Sequence, residues 1–227
     1  MCGRFSLTKE EAEIEKRFNA RFYSDDLVKR YNVAPSQLSL VITEQEPQSL
    51  QLFKWGLIPS WAKEKSIGNR MINARSETVR EKPSFRRLIK NKRCLVITDG
   101  FYEWKKNGSG TKTPFRICKE NEELFAFAGL WDEWTDKETG EIIKSFTIMT
   151  RAANDKVARV HDRMPVILDP EEEPSWLDQN TDESAIDKII NTEPEVSLKV
   201  YPISTLVNSP ANDNPEILLA TDEKDQE

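Results

Sequence analysis

Residues 94 to 118, CLVITDGFYEWKKNGSGTKTPFRIC, decide the fold class. The mostly apolar run Cys94 to Thr98 is bounded by polar and turn-forming residues, which indicates a strand. Further along, Asn107-Gly108-Ser109-Gly110 separates Glu103-Trp104 from Pro114-Phe115. An Asn-Gly pair between two such flanks favours a tight turn. This stretch therefore predicts a strand followed by a β-hairpin.

Short apolar runs on both sides of the hairpin extend the prediction to a sheet-rich domain. The predicted strands are Ser39 to Thr43, Leu50 to Trp55, Cys94 to Thr98, Pro114 to Cys118, Leu124 to Trp131, Ser145 to Thr150, Pro165 to Leu168 and Leu198 to Ile203. The predicted helices are a first one from a Thr8–Glu11 capping box to about Ala20, then Ser84 to Asn91, Asn154 to Val160, Pro174 to Gln179 and Glu183 to Asn191. Because the two kinds of element do not alternate regularly, we predict a single α+β domain with a mixed, largely antiparallel, barrel-like β core flanked by short helices.

Length and composition indicate an ordinary folded protein. The 227 residues suit one large domain at roughly 150 residues per domain, and 37% are hydrophobic and 32% charged. No run of about 18 apolar residues is present, and Met1 to Glu10 lacks the apolar region of a secretory signal. The three cysteines, an odd and sparse set, argue for a reducing compartment. We therefore expect a cytoplasmic protein.

The single histidine, His161, excludes several kinds of metal site. Zinc fingers with two histidines, HExxH proteases and three-histidine metal centres all need more imidazoles than this chain has. We expect no metal and no other cofactor. Any imidazole chemistry has to involve His161.

Charge is distributed unevenly along the chain. The net charge is −6, and residues 211 to 227 hold six acidic residues and one lysine. We predict a folded domain over 1–210 and an acidic, disordered tail over 211–227. Within the domain, Trp61 to Arg93 has eleven basic and three acidic residues, a net charge of +8. That segment is either a phosphate-binding surface or a solvated helix face, and charge alone does not distinguish them.

Cys2 is the first residue that offers chemistry. A small residue at position two permits removal of the initiator methionine, which would leave a free α-amine of pKa about 7.7–8.0 beside a thiol of pKa about 8.5. The amine can capture an aldehyde as a Schiff base, and the thiol can then close a thiazolidine ring. The alternative is an ordinary residue near the chain end.

Glu103 is the candidate general acid. In an extended segment, period-two alternation places Phe101 and Glu103 on one face and Tyr102 and Trp104 on the other. A carboxyl group among aromatic side chains is desolvated, which raises its pKa towards neutrality. The alternative is a surface glutamate on an edge strand.

Two further segments contain candidate polar groups. If residues 71–75 form a strand, Asn73 and Arg75 share a face, where an amide could orient a hydroxyl and a guanidinium could bind phosphate; otherwise Asn73 is a turn residue. His161 follows a predicted helix and is either a site residue or a hydrogen-bonded structural histidine. We expect Trp55 to be buried, whereas Trp61 either stacks on a nucleobase or joins the core.

Six motifs occur in a fixed order along the chain. They are Cys2-Gly3-Arg4-Phe5, Tyr31-Asn32-Val33-Ala34-Pro35, Trp55-Gly56-Leu57-Ile58-Pro59, Asn73-Ala74-Arg75-Ser76-Glu77, Gly100-Phe101-Tyr102-Glu103-Trp104 and His161-Asp162-Arg163-Met164-Pro165. Together they make the chain resemble the SOS-response-associated peptidase (SRAP) family, the abasic-site-processing proteins. The resemblance runs from Cys2 to about Pro165, with weaker agreement to Val207-Asn208.

The resemblance implies a sensor that binds single-stranded DNA containing an abasic site and cross-links to it through Cys2. Carried over residue by residue, Cys2 is the nucleophile, Glu103 moves protons during Schiff-base formation and breakdown, Asn73 positions Cys2 and the opened sugar, and His161 assists ring opening. The implied DNA contacts are Arg4, Asn32, Pro35, Arg75, Trp104 and Arg163. Some relatives have a second tryptophan directly after the one matching Trp61, where this chain has Ala62.

The expected partner is therefore single-stranded DNA with abasic sites, bound by a monomer that associates with the nucleoid. An abasic deoxyribose opens to an aldehyde, which an amine and a thiol together capture well. Stopping at the Schiff base would permit β-elimination, so weak lyase activity is an expected side reaction. Two alternatives stay open: an amino-terminal-nucleophile hydrolase or peptidase pairing Cys2 with His161, and a nucleic-acid-binding module without catalysis.

Overall fold

The computed structural model describes residues 2–23, 28–108 and 110–222. Its strands are β1 (Phe5–Leu7), β2 (Arg21–Phe22), β3 (Arg30–Val33), β4 (Leu38–Thr43), β5 (Ser49–Trp55), β6 (Asn73–Arg75), β7 (Arg93–Thr98), β8 (Gly100–Lys106), β9 (Lys112–Lys119), β10 (Phe125–Thr135), β11 (Ile142–Ala152), β12 (Arg163–Pro165), β13 (Ile167–Leu168) and β14 (Leu198–Pro202). Its α-helices are α1 (Glu11–Phe18), α2 (Leu88–Asn91), α3 (Asp155–Ala158), α4 (Glu173–Leu177) and α5 (Glu183–Asn191). Short 3-10 helices span Lys65–Arg70, Ser76–Thr78, Thr205–Asn208 and Pro215–Leu218.

Five strands form a closed barrel. The antiparallel order β5-β4-β7-β10-β11 is closed by a parallel pairing between β11 and β5, in which Phe146 lies opposite Trp55. Full closure leaves the barrel without an open edge. The predicted α+β fold with a mixed, largely antiparallel, barrel-like core is therefore confirmed.

A second, antiparallel sheet has the order β14-β9-β8-β1-β3. The predicted hairpin is its centre, with Glu103 opposite Phe115 and Trp104 opposite Pro114. The predicted alternation along β8 is also confirmed, because Phe101 belongs to one buried cluster and Tyr102 and Trp104 to another.

A cluster of aromatic side chains joins the barrel to the second sheet. The ring of Phe5 lies 5.0 Å from that of Trp55 and 6.1 Å from that of Phe127, and Phe101 contacts Phe127 at 5.8 Å. Burying each such side chain stabilises the fold by roughly 1.5–3 kcal/mol. Cys2 belongs to this same cluster, so the amino-terminal segment is packed into the core.

Asp99 attaches the amino-terminal segment to the second sheet. Its carboxylate accepts hydrogen bonds from Ser6 Oγ at 2.5 Å and from the main-chain N and Oγ1 of Thr8, both at 2.6 Å. The predicted Thr8–Glu11 capping box was therefore wrong, because Thr8 binds a buried carboxylate instead. Helix α1 begins at Glu11 without a side-chain cap, and the left-handed Asn19 ends it before Ala20.

Two glycines bring the chain back towards β6. Gly56, at φ +116°, follows β5, and Gly68 lies in the 3-10 helix Lys65–Arg70. A Cβ added to either residue would come within 2.7 Å of the other's carbonyl oxygen. This close approach places the segment leading to Asn73 against the end of the barrel.

The structure changes the bounds of several predicted elements. The strand predicted over Pro165 to Leu168 is divided at Val166, whose N–H donates to Met149 of β11 and whose carbonyl accepts from Ala128 of β10. The helix predicted over Ser84 to Asn91 is limited to α2, because turns occupy residues 79–87. No helix in the part of the chain that the structure describes is long and apolar enough to cross a bilayer.

The acidic segment after residue 210 does not match the expectation of disorder over residues 211–222. Asp213 binds Arg30 Nε at 2.6 Å and the main-chain N of Tyr31 at 2.5 Å, and Ile217 is fully buried. Ala220 forms a β-bridge with Ile203. Composition suggested disorder, but one carboxylate and one isoleucine attach this segment to the second sheet. Residues 223–227 of the predicted tail lie outside the described residues.

Candidate active site

Cys2 is buried in the core, and Asn73 holds its main chain. The side chain of Cys2 is fully buried, and Asn73 Nδ2 donates a hydrogen bond to the Cys2 carbonyl oxygen at 2.8 Å. Asn73 begins β6, which pairs in parallel with β11 so that Asn73 lies opposite Ile148. Its Oδ1 is buried and accepts no hydrogen bond from the described residues. Asn73 therefore positions Cys2 with one amide atom and has the other available for a ligand.

The thiol of Cys2 is held in its neutral form. Burial raises the pKa of the Cys2 thiol well above its ordinary value, and the nearby charge of Glu103 raises it further. The sulfur lies 3.9 Å from the carbonyl oxygen of Arg4, within the range of a weak S–H hydrogen bond. A reaction at this sulfur consequently needs a base in contact with it.

Glu103 is the candidate for such a base, or for an acid. Its side chain is 3% exposed, and it lies on the face of β8 that Phe101 shares. Burial raises the pKa of Glu103 to about 7, and the negative charge of Asp162 adds to the effect. Near neutral pH, a carboxyl group with this pKa is present in both protonated and ionised forms, so it can donate or accept a proton.

His161 lies beside Glu103. The Nε2 atom of His161 is 3.9 Å from Glu103 Oε2, and its Nδ1 accepts a hydrogen bond from the main-chain N of Arg163 at 3.0 Å. Asp162 Oδ1 is 2.9 Å from the same Nδ1, but its side chain is 85% exposed and water screens its charge. Burial lowers the pKa of His161, so the neutral ring dominates near pH 7.

A bidentate ion pair joins the segments that hold Asn73 and His161. Arg163 Nη2 lies 2.9 Å from Glu77 Oε2 and 2.8 Å from the carbonyl oxygen of Thr150, and Nη1 binds the second Glu77 oxygen. Glu77 follows β6, Arg163 begins β12, and both strands pair with β11. Sequence analysis assigned Glu77 no role, although its position two residues after Arg75 in the fourth motif was visible. Arg75 itself is exposed.

Arg4, Asn32 and Trp104 form a second group on the opposite face of β8. Arg4 Nη1 donates to Asn32 Oδ1 at 2.6 Å and to the Val207 carbonyl at 2.7 Å, and its guanidinium lies 5.9 Å from the Trp104 ring. Asn32 is fully buried, and its Nδ2 donates to three carbonyl groups of residues 207–212. The structure thus places Asn32 behind Arg4 rather than on the surface. Pro35 is half-buried in a turn.

The basic segment 61–93 divides into two parts. Internal partners occupy its carboxyl-terminal part: Lys90 binds Glu183, Lys92 binds Asp132, and the buried Arg93 donates to four main-chain carbonyls. Arg80 is also paired internally, with Glu183 at 3.1 Å and Asp187 at 2.7 Å. The remaining basic residues are exposed. They are Lys63, Lys65, Arg70, Arg75, Lys82, Arg86 and Arg87. Only this second part is available to bind phosphate.

The tryptophans near the start of that segment differ in exposure. Trp55 is buried as expected, whereas Trp61 is 58% exposed. Ala62 is buried, and its carbonyl accepts a hydrogen bond from Trp134 Nε1 at 2.8 Å. A tryptophan side chain at position 62 would need space where the Ala62 methyl group packs in a buried cluster with Trp134. Among residues 2–23, 28–108 and 110–222, no group of three or more His, Cys, Asp or Glu side chains is arranged to hold a metal ion.

Comparison with known proteins finds relatives over nearly the whole chain. The family model described as "SOS response associated peptidase (SRAP)" matches residues 1–210. The abasic site processing protein YoqW of Bacillus subtilis is 43% identical over 222 residues, which cover 96% of this chain and 99% of the relative. The abasic site processing protein HMCES of Gallus gallus is 34% identical over 212 residues, covering 82% of this chain and 62% of the relative.

A solved structure supports the same relationship. The crystal structure of a protein from Bacteroides thetaiotaomicron is 30% identical, covers 97% of this chain and 100% of its own, and superposes with a TM-score of 0.88. The family model matches far more than half of the chain. This chain therefore belongs to the SOS response associated peptidase (SRAP) family.

Proposed function

We propose that this protein binds abasic sites in single-stranded DNA and forms a covalent cross-link to them through Cys2 after Met1 has been removed. The relatives named abasic site processing proteins support DNA lesions of this kind as the substrate. The observation that carries the proposal is the meeting of Asn73, Glu103 and His161 at the buried Cys2. Such an arrangement suits capture of an aldehyde by the end of the chain.

The first step is condensation of the freed α-amine of Cys2 with the aldehyde of the ring-opened sugar. The amine nitrogen forms a bond to the carbonyl carbon, which gives a carbinolamine. Protonated Glu103 then donates its proton to the departing hydroxyl group, and water leaves as the Schiff base forms. His161, whose Nε2 lies 3.9 Å from Glu103, can exchange the proton needed to open the sugar ring.

The second step closes a thiazolidine ring. The Cys2 sulfur bonds to the Schiff-base carbon, the π electrons move to nitrogen, and the thiol proton passes to the carboxylate that Glu103 became in the first step. The nitrogen, which is protonated in the Schiff base, becomes the neutral N–H of the ring and Glu103 recovers its proton, so the net reaction releases one water and changes no oxidation state. Because burial holds the thiol neutral, this proton transfer is the step that makes Glu103 necessary.

Two properties follow for the DNA. Arg75, which is exposed on β6, would bind a phosphate beside the lesion, and Arg4 with Trp104 would extend the contact. Arg163, the other expected contact on this side, would bind a phosphate by exchanging its partner Glu77. A single strand spares the few kcal/mol needed to unpair a duplex. The protein would act as a monomer without a metal, and β-elimination from the Schiff base would give weak lyase activity.

A gel assay tests the proposal. Purified protein is incubated with a single-stranded oligonucleotide that contains one abasic site, and a heat-stable shifted band is expected. Cys2→Ala should abolish the band, whereas Cys118→Ser, a change at another buried cysteine outside the site, should retain it. Identical gels for wild type and Cys2→Ala would contradict the proposal.

The same samples separate the alternatives. Salt-sensitive binding without any covalent band would indicate a binding module, with log Kd changing by about 0.7 per phosphate for each unit of log salt. Turnover of a peptide substrate by protein that leaves abasic DNA unchanged would indicate a hydrolase. Intact-mass measurement of the protein first establishes whether Met1 has been removed.

A further inference from the structure

A pocket of about 410 Å³ is lined by neighbours of Glu103 and His161, among them Phe115 and Val160, and has no part in the chemistry described above. Strands β8, β9 and β14 form one wall, and α3 with the following turn forms the other. Its volume is near the lower end of the roughly 300–1,000 Å³ typical of small-molecule sites. A space of this size suits one nucleotide.

The floor of the pocket is apolar and continues into the site. Phe115, Val160 and Leu198 are buried there and belong to the same cluster as Cys2. Phe115 lies directly opposite Glu103 across the hairpin, and Val160 precedes His161. Because opposite residues in an antiparallel pair are only about 4.5–5.5 Å apart at Cβ, the pocket begins one side chain away from Glu103.

The rim of the pocket is basic. Lys105 lies two residues beyond Glu103 on the same face of β8, and its Nζ is 5.7 Å from the Phe115 ring centroid. Arg159 is exposed, and no carboxylate of the described residues lies within 4.0 Å of it. Lys156 binds Glu120 at 3.3 Å and the Leu198 carbonyl at 2.9 Å. The rim therefore has three basic side chains, one of which is paired with Glu120.

An apolar floor beneath a basic rim matches the two parts of a nucleotide. A base binds against apolar side chains in sites that accept single strands, and lysine or arginine binds its phosphate. An abasic nucleotide has no base of its own, but its neighbours in the strand do. The barrel wall of the site already has the exposed Arg75, and this pocket adds cations on the wall formed by the second sheet.

We propose that this pocket is a subsite for the nucleotide that adjoins the abasic site on one side. Its base lies on Phe115 and Val160, and Lys105 with Arg159 binds its phosphate. This inference rests on the proposed function, because it assumes DNA as the ligand of the neighbouring site. The subsite also makes binding asymmetric along the strand: the nucleotide on one side of the abasic site contributes more binding free energy than the nucleotide on the other side.

Binding to a non-reactive abasic analogue tests the subsite apart from the chemistry. A tetrahydrofuran residue cannot open to an aldehyde, so fluorescence anisotropy measures affinity without cross-linking. Three labelled single strands are compared, with the analogue in the middle, at the 5′ end or at the 3′ end. For wild type, removing the nucleotides on one side should weaken binding about tenfold more than removing those on the other.

The Lys105→Ala/Arg159→Ala variant then identifies the pocket. This variant should bind the full strand about tenfold more weakly than wild type. Removing the nucleotides on the favoured side should then weaken its binding little further. The matched control, Lys16→Ala/Lys137→Ala, removes two lysines outside the pocket and should behave as wild type. Thermal melting of both variants checks that they are folded.

Several results would overturn the subsite. The subsite would be excluded if removing the nucleotides on either side weakened binding equally, or if wild type did not bind the analogue. It would also be excluded if the losses of binding free energy from the mutations and from removing the nucleotides were additive, because the two changes would then act at separate places. A failed cross-linking gel would instead overturn the proposed function. Because the analogue forms no cross-link, the two failures are distinguishable.

Discussion

Replacing Glu103 by glutamine is expected to stabilise the fold above pH 7 while it slows cross-linking. Burial raises the pKa of Glu103 from 4.5 to about 7, so the folded protein has to keep a desolvated carboxylate at neutral pH. A shift of that size corresponds to roughly 3 kcal/mol of unfolding free energy. Glutamine has nearly the same shape and never ionises.

The sign follows from proton binding. Between pH 4.5 and 7 the folded state binds more protons at Glu103 than the unfolded state does, so stability falls as pH rises through this window. Below pH 4.5 the carboxyl group is protonated in both states and contributes no difference. The Glu103→Gln variant should therefore equal wild type near pH 4 and exceed it by up to about 3 kcal/mol above pH 7.

Urea denaturation at pH values from 4 to 8.5 measures the difference directly. The control is Glu138→Gln, an exposed position in the turn before β11, where the difference should stay near zero throughout. Cross-linking by the Glu103→Gln variant should slow by about 10²–10⁴-fold, the usual effect of removing a general acid or base. A stability difference that does not change with pH would refute the argument, because it would mean that Glu103 ionises normally in the folded protein.

Three other changes have expected outcomes. Asp99→Ala leaves Arg116 buried without its carboxylate and should cost about 3–5 kcal/mol in urea denaturation; a loss below about 1 kcal/mol would contradict the role of Asp99. Gly68→Ala places a Cβ 2.7 Å from the Gly56 carbonyl and should cost about 1–3 kcal/mol, whereas an unchanged melting temperature would show that the two segments are not in contact. Asn73→Ala should slow cross-linking at least tenfold yet cost only about 1 kcal/mol of stability; an unchanged rate would exclude Asn73 from positioning Cys2.

The parts of the fold that local sequence determines were predicted well. The β8–β9 hairpin follows from a turn sequence between two extended flanks, and helix α5 has the predicted bounds Glu183–Asn191. Asp182 caps that helix by accepting from the main-chain N of Ala185. Both elements depend on interactions only a few residues apart, which a sequence displays directly.

The errors concern residues whose partners are distant in sequence. Thr8 has the pattern of a capping box, but its hydroxyl binds Asp99, 91 residues away. The segment after residue 210 looks disordered by composition, yet Asp213 binds Arg30 across 183 residues. Secondary-structure propensities describe residues that are close in sequence, so they do not predict contacts that form only when the chain has folded.

The candidate site shows both situations. Alternation along β8 was enough to place Glu103 on the face of Phe101, and desolvation then predicted the direction of its pKa. The sequence had no means of showing that Asn32 is buried behind Arg4, or that Glu77 and Arg163 join the segments of Asn73 and His161. These arrangements depend on β6 and β12 pairing with the same strand, β11.

Mass spectrometry of the cross-linked product tests the central claim most directly. Protein reacted with abasic single-stranded DNA is digested without borohydride treatment, and its amino-terminal peptide is sequenced. The peptide should begin at Cys2 and contain the sugar fragment on that residue, with the loss of one water and no free thiol. A cross-linked peptide that retains Met1, or a sugar bound to a lysine, would contradict capture by the amine and thiol of Cys2.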